Sequence, residues 1–339
     1  MNLPRRQFLH FAAGAAVLPV ASIASAQAYP SRPITIVAPF AAGGPVDARA
    51  RILAEHMRQT LGQSVIVENV TGAAGSIGVG RVAHSVPDGY TIVVGIWSTH
   101  VVNGAIYTLS YDVQSDFEPI ALITDSPNVI VGKKTLPAND LKGLIAWLKA
   151  NPEKATAGTA GVGSPQHVFA ILFQNVTGTR FQFAHYRGGA PATQDLVSGQ
   201  IDLMISDVVT ALPQVRASNI KAYAITSKSR MAAAPDIPTV DEVGLPGFYS
   251  SVWAGMWAPK GTPKKVIDRL DAAIVDALAD STVRERLMSL GLEIFPRDLR
   301  FTPKSGHRNR HARITFDAPA PAAWRYSPRS AAPSSSEAA

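Results

Sequence analysis

The sequence predicts an α/β protein of two lobes that face each other across a cleft. Short β-branched runs alternate with amphipathic helical segments over residues 34–96, and the same alternation starts again at residue 140. Two further β-prone stretches, 119–131 and 251–257, lie before and after the second series. Such alternation is typical of a mainly parallel sheet covered by helices on both faces. The chain is therefore predicted to build part of lobe one, cross to lobe two and cross back.

The first series follows a regular order of strand, glycine loop and helix. Its predicted elements are strand 34–40, helix 47–61, strand 64–68, helix 75–83 and strand 90–96. In the first helix, apolar residues recur at helical spacing from Ala48 to Leu61, and Gly62 follows as a glycine that ends the helix. The third strand leads into the polar segment WSTH.

The second series repeats this organisation. Its predicted elements are helix 140–149, strand–glycine loop–helix units over 154–174 and 181–207, and strand 222–227. The helix of the second unit is predicted to begin near Pro191. After the return, residues 261–291 are predicted to form two helices, with Pro263 near the start of the first.

These patterns divide the chain into four parts. Residues 1–28 are an export signal, residues 29–124 and 251–298 form lobe one, residues 125–250 form lobe two, and residues 299–339 form an atypical tail. The tail has no helix or strand periodicity and is rich in Arg, Pro, Ser and Ala, a composition that predicts disorder.

The N-terminal segment has the order of an export signal. The pair Arg5-Arg6 precedes an apolar stretch, 11–24, which is shorter than the roughly 20 residues that a membrane-spanning helix needs. Small residues then offer cleavage after about Ala26 or Ala28. The paired arginines resemble a twin-arginine signal, although the general secretory route stays open. The mature protein is therefore predicted to be periplasmic.

Charge and cysteine content exclude several function classes. The formal net charge is +7, but residues 1–28 contribute two arginines without an acid, and residues 299–339 carry seven Lys/Arg against two acids. The segment between them is neutral, so the basic balance does not indicate a nucleic-acid partner. The chain has no cysteine, which excludes disulfides, thiol nucleophiles and zinc–thiolate sites.

The sequence has no motif that indicates catalysis or cofactor binding. Its glycine-rich GxGxxG match lies after the second strand, whereas a dinucleotide-binding fingerprint follows the first strand. No phosphate-binding P-loop, GxSxG elbow or HExxH motif is present. Ser164 and His167 lie three residues apart, but Ser164 is better interpreted as a helix N-cap before Pro165. His100 is interpreted as a hydrogen-bonding surface group. The sequence thus predicts neither an enzyme nor a metal or cofactor site.

Glycine-bounded helix starts do recur. Loops 42–46, 158–164 and 187–190 are each predicted to leave backbone amides bare at a helix N-terminus, where the helix dipole favours an anion. In open α/β sheets such loops lie at the carboxyl ends of the strands, so all three should point into the cleft. Asp207 ends a strand at the same edge, as a ligand contact or as a cap of the next helix. An anionic ligand clamped between the lobes is predicted.

Several motifs together resemble one protein family. They are YPSRPITIVAPFAAGGPVDARARILAEHM, GQSVIVENVTGAAGSIGVGRVAHSVPDGYTI, SPNVIV, HYRGGAPATQDLVSGQIDLMISD, DIPTVDEVGLPGF and APKGTPKKVIDRL. From about residue 29 to 298 the chain is similar to the substrate receptors of tripartite tricarboxylate transporters, the Bug receptors. The resemblance implies a type II periplasmic-binding-protein fold with two crossing strands. It also implies capture of a small carboxylate and delivery to a permease of a large and a small subunit.

The resemblance also implies a binding site, in which backbone amides and bridging waters hold the proximal carboxylate. The matching positions are Phe40, Ala41, Gly43, Gly44, Asp47, Ser98, Thr99, Thr159, Gly163, Ser164, Gly188, Gly189, Ala190 and Asp207. Candidates for the distal contact are Trp97, His100, Gln166 and Asp207. Pro165 and Gln166 depart from the small hydroxyl residues frequent in the family, and the tail departs from its terminal helix.

The receptor is expected to be a monomer. Two alternatives stay open at this point. One is a periplasmic sensor of the same fold that signals to a membrane kinase, and the other is an α/β hydrolase or transferase that uses Ser164, His167 or His100.

Overall fold

The described part of the chain forms two lobes. The computed structural model describes residues 29–296, which build two β-sheets with helices packed on them. The predicted export signal and the predicted tail, 299–339, lie outside the described residues. Within residues 29–296, no helix is both long and apolar enough to cross a membrane.

The first part of the described chain forms most of lobe one. Its elements are β1 (Ile34–Ala38), α1 (Pro45–Leu61), β2 (Val65–Asn69), a 3₁₀ turn (Ala73–Gly75), α2 (Ser76–Ala83), β3 (Thr91–Ile96), a π-helical turn (Ser98–Val102), α3 (Asn103–Ile106) and β4 (Phe117–Asp125). The segment after the third strand is thus helical and not a loop.

Lobe two follows without interruption. Its elements are β5 (Asn128–Lys133), α4 (Leu141–Ala150), β6 (Thr156–Thr159), α5 (Pro165–Thr177), β7 (Gln182–His185), α6 (Gly189–Ser198), β8 (Leu203–Asp207), α7 (Val208–Arg216) and β9 (Ile220–Ile225). The chain then returns to lobe one with β10 (Ala254–Pro259), α8 (Lys264–Ala279), α9 (Ser281–Ser289) and β11 (Glu293–Ile294).

The crossing strands run against their neighbours. The lobe-one sheet has the order β11-β4-β10-β3-β1-β2, and β10 is antiparallel to both β3 and β4. The lobe-two sheet has the order β7-β6-β8-β5-β9, and β5 is antiparallel to both β8 and β9. A strand that arrives from the other lobe starts at the cleft edge, where the other strands end, so it must run in the opposite direction. Strands β1–β4 and β6–β9 run in one direction within their sheets, as the expectation of mainly parallel sheets requires, whereas β5, β10 and the short edge strand β11 run in the opposite direction.

The two crossings lie side by side and form the hinge. The amide of Ser126 donates to the carbonyl of Val252 at 3.2 Å, and the amide of Val252 donates to the carbonyl of Ser126 at 2.8 Å. Pro127 and Ser251 form an isolated bridge beside them. The predicted two-lobed α/β fold with two crossing segments is confirmed.

Helix α1 shows how the sequence positions the cleft. Pro45 occupies its first turn, where a missing N–H costs nothing, so the helix begins two residues before the predicted start. Leu53 and Met57 are fully buried against the lobe-one sheet, one helical turn apart. Gly62 ends the helix in the left-handed conformation, at φ 67°, as predicted. The start of α1 is thereby fixed at the carboxyl end of β1.

Candidate functional site

The start of α1 is held by an acid from its own first turn. The amide of Gly43 donates to Oδ2 of Asp47 at 2.9 Å, and the amide of Gly44 donates to the carbonyl of Ala41 at 3.3 Å. Asp47 is buried and also accepts from Arg51 and Asn69, each at 2.9 Å. The expectation of bare amides at this glycine pair is therefore wrong. Asp47 accepts the amide of Gly43, the residue before the N-cap Gly44.

Hydrogen bonds also set the pKa of Asp47. Burial of the carboxyl acts to raise this pKa, but the hydrogen bonds from Arg51, Gly43 and Asn69 to its charged form outweigh burial and lower it. The carboxylate is therefore charged at the entrance of the cleft, beside the start of α1.

The segment after β3 turns its polar groups inward. The hydroxyl of Thr99 lies 3.0 Å from the amide and 2.9 Å from the carbonyl of Ile96, and Ser98 is fully buried. His100 is buried as well, with its ring stacked on Trp257 at 4.0 Å between centroids. Burial lowers the pKa of His100 to about 3. The interpretation of His100 as a surface group is wrong, because its side chain packs inside lobe one.

The first lobe-two loop is also satisfied by its own side chains. Ser164 caps α5, and its hydroxyl accepts from the amide of His167 at 3.4 Å, as the N-cap interpretation predicts. Nδ1 of His167 in turn accepts from the amide of Gly163 at 3.1 Å. Thr159 is buried and contacts Nδ1 of His185 at 2.7 Å. Both Ser164 and His167 therefore bind backbone amides of their own loop.

The second lobe-two loop, which precedes α6, differs from the first because no side chain caps its helix. Helix α6 begins at Gly189, two residues before the predicted start, and Gly188 occupies the N-cap position without a side-chain cap. The amides of Gly188, Gly189 and Ala190 precede the first donor that the helix itself can use. No side chain of this loop competes for them at the cap.

The two glycine loops touch across the cleft. The amide of Ala41 donates to the carbonyl of Arg187 at 3.2 Å, and a Cβ at Gly188 would lie 2.9 Å from the backbone nitrogen of Ala41. Farther out, the hydroxyl of Tyr107 donates to the carbonyl of Val162 at 2.7 Å. The lobes are therefore closed on each other, and Gly188 has no room for a side chain in this state.

An arginine that the sequence analysis did not select lies at the hinge side of the cleft. Arg49 of α1 has no exposed surface. Its Nε donates to Oγ1 of Thr124 at 2.9 Å, and its Nη2 donates to Oγ of Ser126 at 2.7 Å and to Oδ2 of Asp207 at 3.3 Å. The signal was available, because Arg49 lies four residues before Leu53, on the buried face of the helix.

Asp207 connects the hinge to α7. Its Oδ1 accepts from the amide of Val209 at 2.9 Å, and its Oδ2 accepts from the hydroxyl of Ser126 at 2.9 Å. The side chain therefore caps the helix that follows β8, which is one of the two roles that the sequence left open, and it also pairs with Arg49.

A small cavity between the lobes brings these elements together. It is lined by Phe40, Pro45, Val46, Arg49, Ile96, Ala160, Pro165, Gln166, Gly189, Asp207 and Val252. Of the predicted site residues, it contains Phe40, Gly189 and Asp207, together with the distal candidate Gln166. Ser98, Thr99 and Ser164 are buried nearby without lining it. In the part of the chain that the structure describes, no cluster of His, Asp and Glu has the makings of a metal site.

Two lobes joined by two crossing segments, with a small cavity between them, define the class of two-lobed solute-binding receptors. Residues 49–304 match the model of the tripartite tricarboxylate transporter family receptor. The chain belongs to this family, whose members are periplasmic solute-binding receptors.

Known proteins of the family are similar over most of the chain. An uncharacterised-family protein of Agrobacterium vitis from the TAR-I intergenic region is 42% identical over 270 residues, which cover 79% of this chain and 78% of that protein. The structure of the periplasmic binding protein BugD is 41% identical, covers 79% of this chain and 89% of its own, and has a TM-score of 0.76. MatC of Rhodopseudomonas palustris with bound malate is 38% identical, covers 80% and 92%, and has a TM-score of 0.76.

Proposed function

We propose that this protein captures a small carboxylate between its lobes and delivers it to a membrane permease of a large and a small subunit. The observation that carries the proposal is the closed cleft, in which the uncapped start of α6 faces the start of α1. The mature receptor acts as a periplasmic monomer after cleavage near Ala26 or Ala28, without a cofactor and without chemistry on its ligand.

The helix start of α6 supplies the attraction for the carboxylate. Three successive amides at Gly188, Gly189 and Ala190 are free of intrahelical acceptors, and they lie at the positive end of the helix dipole. A carboxylate accepts several such N–H donors at once, which is how helix N-termini bind anions. The malate bound to MatC is a ligand of this chemical class.

The proposed binding residues come from both lobes. They are Phe40, Ala41, Gly43, Gly44, Asp47, Ser98 and Thr99 from lobe one, and Thr159, Gly163, Ser164, Gly188, Gly189, Ala190 and Asp207 from lobe two. The contacts described above support different tasks within this set. Asp47 and Ser164 accept backbone amides of their own loops, so we propose the Gly188–Ala190 amides as the main contacts of the carboxylate.

A binding role without catalysis is favoured by what the hydroxyl and imidazole groups already do. The hydroxyl of Ser164 accepts a backbone amide, Nδ1 of His167 accepts another, and His100 is buried in lobe one. A nucleophile needs a base within hydrogen-bond reach of its hydroxyl, and these groups are directed to the backbone instead.

Calorimetric titration of the full chain with a panel of mono-, di- and tricarboxylates tests the proposal. We expect at least one carboxylate to bind, and NMR of the recovered ligand should show it chemically unchanged. Circular dichroism first confirms that the sample is folded. A folded sample that binds none of the panel, or that converts its ligand, contradicts the proposal.

A further inference from the structure

The Arg49 guanidinium is buried with part of its hydrogen-bonding capacity unused. Its Nη1 has no protein partner within the described residues, although the whole side chain is removed from solvent. An unsatisfied buried donor on a charged group is costly, so native structures rarely contain one without a reason. Nη1 carries two of the five N–H donors of the guanidinium.

The remaining donors are held from both sides of the hinge. Thr124 and Ser126 precede the first crossing and take Nε and Nη2, while Asp207 of lobe two takes Nη2. These contacts use the single N–H of Nε and both N–H groups of Nη2, and they fix the guanidinium in position. The two N–H groups of Nη1 remain as donors on a charged group, and such donors form strong hydrogen bonds to carboxylate oxygens.

The same cavity reaches the proposed carboxylate cradle. Arg49 lines it together with Pro45 and Val46 at the start of α1 and Gly189 at the start of α6. Along α1, Arg49 lies five residues after Gly44, which is about 7.5 Å at the rise of an α-helix. Helical side chains lean towards the N-terminus, so the guanidinium lies closer to the helix starts than its Cα does. Arg49 and the start of α6 therefore border the same cavity.

We infer that Arg49 is a specificity-determining residue of this receptor, and that the free N–H donors of its Nη1 bind a second carboxylate of the ligand. The inference rests on the proposed function and makes the ligand a short dicarboxylate. One carboxylate lies on the α6 amides, and the other lies on Arg49. Thr124, Ser126 and Asp207 act as positioning residues that hold the guanidinium.

A purely structural role for Arg49 predicts something different. An arginine that only links the lobes is expected to form a bidentate pair with Asp207, in which two guanidinium nitrogens donate to the two carboxylate oxygens. The observed ion pair has instead a single contact of 3.3 Å through Nη2, and Nη1 is left over. Gln166 lines the same cavity and also has a buried amide atom, Oε1, without a partner. Arg49 and Gln166, each with a buried polar atom that has no partner among the described residues, therefore line the same cavity.

The test compares matched ligands in calorimetric titrations of the full chain. Succinate, glutarate and adipate are paired with butyrate, valerate and hexanoate, which have the same chain lengths and one carboxylate. We expect the wild-type protein to prefer at least one dicarboxylate to its monocarboxylate partner. Arg49→Met should reduce that preference about tenfold to hundredfold, the range for a lost hydrogen bond to a charged group, while monocarboxylate affinity changes by less than about threefold.

Further variants separate folding from recognition. Arg49→Met combined with Asp207→Asn removes both buried charges, so neither is left unpaired, and it should lose the preference as the single variant does. Arg49→Lys keeps the charge without the planar edge and should lose part of the preference. Arg58→Met removes a charge from the exposed face of α1 and should keep the wild-type preference.

The outcomes are distinct. A preference that survives in the double variant, or equal losses for mono- and dicarboxylates, overturns the role of Arg49 and leaves it only a link between the lobes. Wild-type binding of carboxylates without any dicarboxylate preference overturns it too, while the proposed function stands. If the folded wild-type protein binds no carboxylate, the proposed function itself fails.

Discussion

The starts of α1 and α6 face each other across the cleft, but they differ in whether protein groups accept the amides of their glycines. At α1, Asp47 and the carbonyl of Ala41 accept the amides of the glycine pair. At α6, the N-cap is Gly188, which has no side chain to offer. Both sequences place glycines before an amphipathic helix, yet only at α1 do protein groups accept the amides of those glycines.

The difference assigns separate tasks to the two lobes. The hydrogen bonds of Asp47 hold the lobe-one loop in one conformation, so this loop serves as a stiff wall of the cleft. The lobe-two loop supplies the free amides, and closure carries it against that wall through the contact between Ala41 and Arg187. A helix N-terminus thus attracts an anion only where no side chain of the protein has already satisfied it.

The largest expected effect is the loss of the α1 acid. Asp47→Ala leaves the amide of Gly43 and the amide of Asn69 without their acceptor, and we expect it to lower the free energy of unfolding by about 3 kcal/mol. Chemical denaturation at pH 7 measures this change. Asp236→Ala removes an exposed acid and should stay within about 0.5 kcal/mol of wild type. If Asp47→Ala also stays within about 0.5 kcal/mol of wild type, the interpretation of the lobe-one loop as a stiff wall is contradicted.

The second effect concerns His100, a polar group buried inside lobe one. Burial lowers its pKa from 6.5 to about 3, so as the pH falls the unfolded chain binds the proton first. Wild-type stability should therefore drop as the pH falls below about 6.5. Between pH 6.5 and 5, this group contributes a loss of about 1.6 kcal/mol.

Denaturation of wild type and His100→Leu at several pH values isolates that contribution. Carboxylates titrate alike in both proteins, so the difference between the two curves reports His100 alone. We expect the difference to be constant above pH 7.5 and to shift in favour of the variant as the pH falls towards 5. Parallel curves over the whole range mean that His100 is not buried as a neutral ring.

Local periodicity predicts the elements well, because apolar residues that share a helical face are close in sequence. The helix ended by Gly62 and the cap at Ser164 are examples, since each depends on a few neighbouring residues. The partners of buried polar groups cannot be predicted in this way, because they are distant in sequence. Arg49 contacts Thr124, Ser126 and Asp207, which are 75, 77 and 158 residues away. Nothing local distinguishes such a residue from a solvated arginine except its position on the apolar face.

The same limit explains the errors at the cleft. Residues 42–46 were predicted to present bare amides, but a carboxylate four residues after Gly43 reaches back to accept one of them. The direction of β5 depends on where the chain enters lobe two, which strand propensity does not encode. Loop contacts and the partners of charged groups therefore have to be taken from the tertiary structure, whereas strands and helices can mostly be predicted from the local sequence.

The third effect tests closure at the α6 start. In Gly188→Ala, the new Cβ would lie 2.9 Å from both the backbone nitrogen and the Cβ of Ala41 in the closed state. The clash favours the open state, in which the loops separate, and the apparent affinity falls with the closed population. We expect carboxylate affinity to fall at least about tenfold in calorimetric titrations, with little change in stability.

Gly104→Ala is the matched control, because it adds the same methyl group on α3 at an ordinary contact distance of 3.4 Å from Val113. Its affinity should equal that of wild type. Small-angle scattering of ligand-free Gly188→Ala should show a larger radius of gyration than wild type. An unchanged radius together with unchanged affinity means that closure does not bring these loops together.

The smallest effect decides between two roles of Ser164, which caps α5 and is also a proposed ligand contact. Its hydroxyl accepts the His167 amide at 3.4 Å, a long hydrogen bond, so Ser164→Ala should lower the free energy of unfolding by only about 0.5–1 kcal/mol. Glycine is a tolerated N-cap, and Ser164→Gly should lose only a few tenths of a kcal/mol. If the hydroxyl acts only as a cap, both variants should keep wild-type carboxylate affinity. If it also binds the ligand, both should lose affinity equally, although their stabilities differ. Since Ser164 already accepts the His167 amide at the start of α5, we expect the first result, with ligand binding concentrated at the uncapped α6.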